Sequence, residues 1–110
     1  MKLIIAVIQD EDSHKLVKKL RQNNYMLTKL ASTGGFLSSG NTTLLIGVDK
    51  EKVDDVLDII RDVCKTREKV TTAAVPNAYT SSSGFVSRTI NVKIGGATVF
   101  IVEVDDFIKI

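Results

Sequence analysis

A small α+β sandwich, with two helices laid on one face of an antiparallel sheet, is the fold class the sequence predicts. Three observations predict it. The run at residues 3–8, Leu-Ile-Ile-Ala-Val-Ile, is apolar at both odd and even positions, as a strand covered on both faces must be. Two later stretches carry apolar residues at helical spacing, and each is preceded by a strand-like run. Gly95-Gly96 separates two segments rich in β-branched residues, the pattern of a hairpin.

The elements follow in chain order. Residues 3–8 form the central strand. Asp12 or Ser13 caps a helix running to about Asn23, with Leu16, Val17 and Leu20 inward and Lys15, Lys18, Lys19 and Arg21 outward. Residues 25–32 and 42–48 read as strands, the second dominated by Leu44, Leu45, Ile46 and Val48. Val53, Val56, Leu57, Ile60, Val63 and Cys64 place a second helix at about residues 50–66, with Asp49 as its cap. Residues 67–88 hold the only proline, Pro76, and a polar run around Tyr79, and read as a long flexible loop. Strands at 89–94 and 97–104 then flank Gly95-Gly96, and Phe107, Ile108 and Ile110 form an apolar tail that has to dock on something. Strand–helix–strand twice over is a βαββαβ sheet of ferredoxin-like topology, with an added C-terminal hairpin strand. Two helices cover only one sheet face, so the apolar second face predicts a homo-oligomer.

Composition narrows the function classes. The 110 residues fit one domain, 1–110, and 44% hydrophobic with 25% charged residues is a globular balance. No apolar stretch is long enough to span a bilayer, and the first residues lack a secretory pattern, so a soluble cytoplasmic protein without membrane partners is expected. A net charge of +2 gives no footprint for a nucleic-acid polymer, and the central strands carry aliphatic residues where an RNA-binding sheet needs aromatics. One cysteine excludes an intrachain disulfide, and Cys64 with a single histidine, His14, provides no His/Cys metal site; Cys64 falls on a helix's apolar stripe as a buried thiol. The carboxylates Asp10, Glu11 and Asp12 suit a helix N-terminus, and Asp105-Asp106 a solvated strand end. No nucleophile–base constellation remains, so neither an enzyme nor a cofactor is expected.

Residues 33–43, Thr-Gly-Gly-Phe-Leu-Ser-Ser-Gly-Asn-Thr-Thr, are the richest in binding chemistry. Glycines bring backbone N–H groups close to a ligand, hydroxyls and an amide direct hydrogen bonds, and a lone phenylalanine can cover a flat ring. A nucleotide cradle and a plain connector both fit this stretch by itself.

Gln9-Asp10, Thr28-Lys29-Leu30-Ala31, Thr33-Gly34-Gly35-Phe36-Leu37, Gly40-Asn41-Thr42-Thr43, Gly47-Val48 and Gly95-Gly96-Ala97-Thr98-Val99-Phe100 together resemble the PII-like cyclic-di-AMP receptors of Gram-positive bacteria. The resemblance is collinear over nearly the whole chain and weakest near residues 71–91. It implies a ferredoxin-like homotrimer with a short loop at 33–41 and an enlarged one after the second helix. One cyclic-di-AMP would lie in each cleft between subunits, without catalysis, and its signal would pass by loop ordering to a downstream protein. The implied ligand contacts are Asn24, Thr28, Gly35, Phe36, Leu37, Asn41 and Gly47. Gly35 would open backbone N–H groups to a phosphate, Thr28 add a hydroxyl, Asn41 read an adenine edge, Phe36 stack on a base, and Gly47 let a ring approach. One departure stands out: Met26 occupies a position where the family commonly has arginine, whose charge engages a phosphate. The alternative it raises is a PII-like regulator of another nucleotide or of a partner protein.

Overall fold

Strand β1 (Lys2–Gln9) runs through the middle of the molecule, and everything else is arranged about it. It leads without a loop into helix α1 (Asp10–Gln22). Strands β2 (Leu27–Ser32) and β3 (Asn41–Val48) follow, then a single 3-10 turn (Lys50–Lys52) and helix α2 (Val53–Cys64). Strands β4 (Arg67–Pro76), β5 (Phe85–Ile94) and β6 (Ala97–Glu103) complete the chain. The structure is a computed structural model that describes residues 1–32, 40–76 and 85–110, with side chains described for 1–30, 40–70 and 89–110.

The main sheet has the order β2-β3-β1-β6, antiparallel throughout, which is the ferredoxin-like arrangement the sequence predicts. Even-numbered residues of β1 and β3 face the helices. Ile4, Ala6, Ile8, Leu44 and Ile46 are fully buried there against Leu16 and Leu20 of α1 and Val56, Ile60, Val63 and Cys64 of α2. Burial of each large side chain contributes about 1.5–3 kcal/mol, so this layer carries most of the favourable free energy of the sandwich.

The opposite face is also apolar. The register aligns Leu3 with Val102 and Gly47, and Ile5 with Phe100 and Leu45. Thr28 and Leu30 of β2 continue the same row, opposite Leu45 and Thr43. No described element lies over this face. Leu30, Phe100 and Val102 each keep more than two-fifths of their surface exposed, as do Phe107, Ile108 and Ile110 of the tail.

Three expectations are corrected. The predicted hairpin across Gly95-Gly96 does not form: β5 pairs with β4, while β6 pairs with β1. No strand is added to the main sheet, whose fourth position β6 itself fills, and the extra length is a separate β4–β5 ribbon inserted before it. Residues 67–76 and 85–88 of the predicted loop are therefore strand, paired from Arg67 with Ile94 to Pro76 with Phe85; residues 77–84, Tyr79 included, lie outside the described residues. The helices also begin differently. Gln9 is the N-cap of α1, and Asp12 and Ser13 are buried within its first turn. Asp49 precedes the 3-10 turn and accepts the Lys52 N–H through its backbone carbonyl, without a side-chain cap.

Gly95 and Gly96 form the corner between the two sheets, both with φ near +90°. The Gly95 N–H donates to Gln9 Oε1 at 2.6 Å, and the Gly96 N–H donates to the Cys64 carbonyl. A Cβ on Gly95 would stand 2.4 Å from the Lys65 carbonyl oxygen and 3.1 Å from that of Cys64. Gly95→Ala is therefore expected to cost about 1–3 kcal/mol of stability, through backbone strain before the clash is counted. Urea unfolding measures this, and an unchanged midpoint would contradict the corner geometry.

Burial, followed by the negative charge of Asp12, pushes the Cys64 thiol up to about 12. The native chain should thus resist a disulfide reagent at neutral pH and react fully once denatured. Prompt labelling of the folded protein would refute the burial.

Candidate functional site

The chain's polar interactions concentrate where β1 becomes α1. Gln9, Asp10, Glu11 and Asp12 reach three parts of the chain from this turn: the Gly95 corner, the start of β3, and β4. Gln9 stands opposite Asn41 in the last rung of the β1–β3 ladder, while its side chain holds the Gly95 N–H. The Asp10 N–H donates to the Gly40 carbonyl at 3.0 Å, and Thr42 Oγ1 donates to Asp10 Oδ1 at 2.6 Å. The Asp10 carboxylate also packs so closely over Gly40 that a Cβ there would lie 2.5 Å from Oδ2. Asn41 is thus bracketed on both sides by contacts to one aspartate.

The acidic residues that follow hold the ribbon. Arg67 Nη2 donates to Asp12 Oδ1 at 2.6 Å, Nη1 lies 3.5 Å from Oδ2, and Nη1 also donates to the Lys65 carbonyl at 3.0 Å. Asp12 is only 4% exposed, whereas Arg67 is about one-third exposed. The hydrogen bond to Asp12 holds the guanidinium above its already high ordinary value. Lys69 Nζ meets Glu11 Oε1 at 3.0 Å. An isolated two-stranded ribbon is marginal in water, so these ties at its base fix its direction.

The residues predicted from sequence fall into two groups. Asn41 stands at the β1–α1 end of the sheet, and it is 1% exposed. Asn24, Thr28 and Gly47 belong to the other end. Asn24 is the exposed residue that terminates α1, in the left-handed conformation with φ 65°, and its N–H donates to the Arg21 carbonyl at 3.0 Å. An asparagine is well suited to that backbone, so its place has a helix-ending cause as well. Thr28 is exposed on the open sheet face, opposite Leu45. Gly47 is exposed too, and a Cβ there would meet only Met1 Sδ at 3.9 Å. Among the described residues nothing demands a glycine at that position, in contrast to Gly40 and Gly95. Asn41 and Gly47 are about 20 Å apart along β3 at the rise of an extended strand. Gly35, Phe36 and Leu37 lie outside the described residues.

Among the described residues, surface hollows lie along α1, lined by His14, Val17, Lys18, Arg21 and Gln22, and between α2 and β6. Neither includes a predicted ligand residue. Among the described residues no group of three His, Cys, Asp or Glu could hold a metal ion, and no helix is long and apolar enough to cross a membrane.

Comparison with known proteins decides the family. A profile described as cyclic-di-AMP receptor matches residues 1–110. The chain belongs to the cyclic-di-AMP receptor family. The fold is shared with the crystal structure of a functionally unknown protein from Pediococcus pentosaceus ATCC 25745, at 40% identity and a TM-score of 0.78, covering 99% of this chain and 96% of that one. A receptor family is a binding family, so what needs explaining is recognition rather than chemistry. Within that family frame, sequence reasoning missed Gln9, Glu11, Asp12, Arg67 and Lys69 as a structural unit. The signal present was four polar residues directly after a strand; their partners lie 55 or more positions away and leave no local pattern.

Removing either end of the Asp12–Arg67 pair should have unequal effects. Asp12→Ala deletes a buried charge and leaves a guanidinium that water can reach, a loss of about 1.5–3 kcal/mol. Arg67→Ala leaves the buried carboxylate alone and should cost more. Thermal unfolding of both variants checks the order, and equal losses would contradict it.

Proposed function

We propose that the protein is a non-enzymatic cytoplasmic receptor that binds cyclic-di-AMP in clefts between the copies of a homotrimer. The observation that carries this reading is the separation of the candidate residues. On one chain, a ligand touching both Asn41 and Gly47 would have to lie along most of β3. Two neighbouring chains can instead bring the loop end of one copy against the Thr28 and Gly47 end of the next.

The open sheet face supports association. Leu30, Phe100 and Val102 form an uncovered apolar surface of the kind that marks an interface, and the apolar tail needs a similar covering. Gly47 fits a place where a ring comes close, since its own chain leaves open space there. In the cleft Phe36 would stack on a base, and the N–H groups about Gly35 and Leu37 would face a phosphate. Thr28 and Asn24 would contribute hydrogen bonds from the neighbouring copy. Asn41 is buried, so its amide meets the ligand only after the loop exit shifts, and binding would thereby reorganise the loop and signal to a partner protein.

Met26 favours a second reading. It is 73% exposed, two residues before Thr28, and offers no charge to a phosphate. A site lacking that contact would prefer another nucleotide or serve a partner protein.

Titration calorimetry with cyclic-di-AMP separates the two. Saturable binding with one ligand per chain is expected, and Phe36→Ala should lose about 1–3 kcal/mol of it. Met26→Arg should tighten binding by about 1.5–3 kcal/mol, the worth of a charged hydrogen bond. Absence of heat at millimolar cyclic-di-AMP, with thermal stabilisation by a mononucleotide instead, would establish the second reading.

A further inference from the structure

Resting on the ligand reading above, we propose that residues Gln9–Asp12 form a junction through which the loop exit at Asn41 and the β4–β5 ribbon constrain each other, with Asp10 as the positioning residue for Asn41. The two features meet nowhere else among the described contacts. Asn41 is flanked by two bonds to this turn: the Asp10 N–H on the carbonyl of Gly40 before it, which closes the Gln9–Asn41 rung, and the Thr42 hydroxyl on Asp10 after it. The ribbon is joined to the same turn at both of its strands. Arg67 and Lys69 of β4 take Asp12 and Glu11, and the Gly95 corner after β5 takes the Gln9 side chain.

Gln9 belongs to both sets. Its backbone stands opposite Asn41 in the ladder while its buried side-chain oxygen holds Gly95. The junction is also stiff, because it is a strand passing straight into a helix with Gln9 as the N-cap. A shift of Gly40–Thr42 therefore moves Asp10 and the Gln9 rung, and with them the anchor points of the ribbon. At its base the ribbon is also tied to the end of α2, by Arg67 on the Lys65 carbonyl and by the Gly96 N–H on that of Cys64, so the turn is one of two supports that set its direction. Coupling of this kind is reciprocal: whatever fixes the ribbon also biases the state of Asn41. The ribbon would then be the element whose position reports occupancy of the cleft.

Native-state hydrogen exchange on the ligand-free chain tests the junction without reference to any ligand. Asp10→Asn and Thr42→Val alter the loop side and touch no ribbon residue. Each should speed exchange at the ribbon base, around the Lys69–Val92 rung, by about tenfold, while the Leu3–Val102 rung keeps its rate. Unchanged ribbon rates in both variants, or equal acceleration everywhere, would overturn the junction. The reverse direction is read by calorimetry. Arg67→Ala, on the ribbon side, should weaken cyclic-di-AMP by about tenfold, with Tyr25→Phe, which removes a hydroxyl that donates to Asp55 away from the junction, as a control equal to the unaltered chain. Unaltered affinity in Arg67→Ala would refute the coupling and leave the ligand reading intact. Failure of the unaltered chain to bind would instead refute the ligand reading, and the exchange result would then decide the junction alone.

Discussion

The structure depends on one strand that is apolar on both faces. Ile4, Ala6 and Ile8 of β1 are covered by α1 and α2, which satisfies half of its hydrophobic demand within the chain. Leu3, Ile5 and Val7 point the other way, into a row shared with Leu45, Phe100 and Val102. Removing apolar surface from water is the dominant favourable term in folding and in association alike. A sheet with this composition, and with its described helices on one side only, leaves apolar surface that a further packing partner would cover.

That constraint also organises the candidate site. The ends of β3 present different chemistry: a buried asparagine bracketed by Asp10 at one end, and an exposed glycine with open space about it at the other. Within a protomer these do not converge. Membership in the cyclic-di-AMP receptor family makes recognition the task, and association through the open face is what could bring the two kinds of surface together. The β1–α1 turn adds a physical link from that site to the ribbon, through hydrogen bonds made by consecutive residues.

Much of the fold was legible in the sequence, because the sandwich rests on local periodicity. The alternation-free run of β1, the stripe Val56, Ile60, Val63 and Cys64, and the element order were enough for the ferredoxin-like topology. The β4 half of the ribbon was not legible, since residues 67–76 lack the apolar–polar alternation of a half-buried strand, whereas Ile90, Val92 and Ile94 alternate with polar residues and predict the strand at 89–94. Val70, Thr71 and Thr72 carried β propensity, but Pro76 and the polar run after it outweighed that signal. Gly95-Gly96 misled for a physical reason. Left-handed glycines serve a sheet-to-sheet corner as well as a hairpin turn, and only the long-range partners Gln9 and Lys65 distinguish the two. The helix start was misplaced because Asp12 and Ser13, good caps by type, are buried for other purposes, Asp12 as the partner of Arg67. Of the candidate site, Thr28 and Gly47 were singled out through the family resemblance, while the grip of Asp10 on Asn41 leaves no local signal.

The central claim is that one cleft needs residues of two copies. It is tested most directly by mixing two binding-deficient variants, Thr28→Ala with Gly47→Val at one end of β3 and Phe36→Ala with Asn41→Ala at the other. After joint refolding, clefts that combine the two unaltered faces should recover cyclic-di-AMP binding that neither variant shows alone. Recovery in the mixture is the predicted result. A mixed assembly as inert as its parents would show that each site belongs to a single chain.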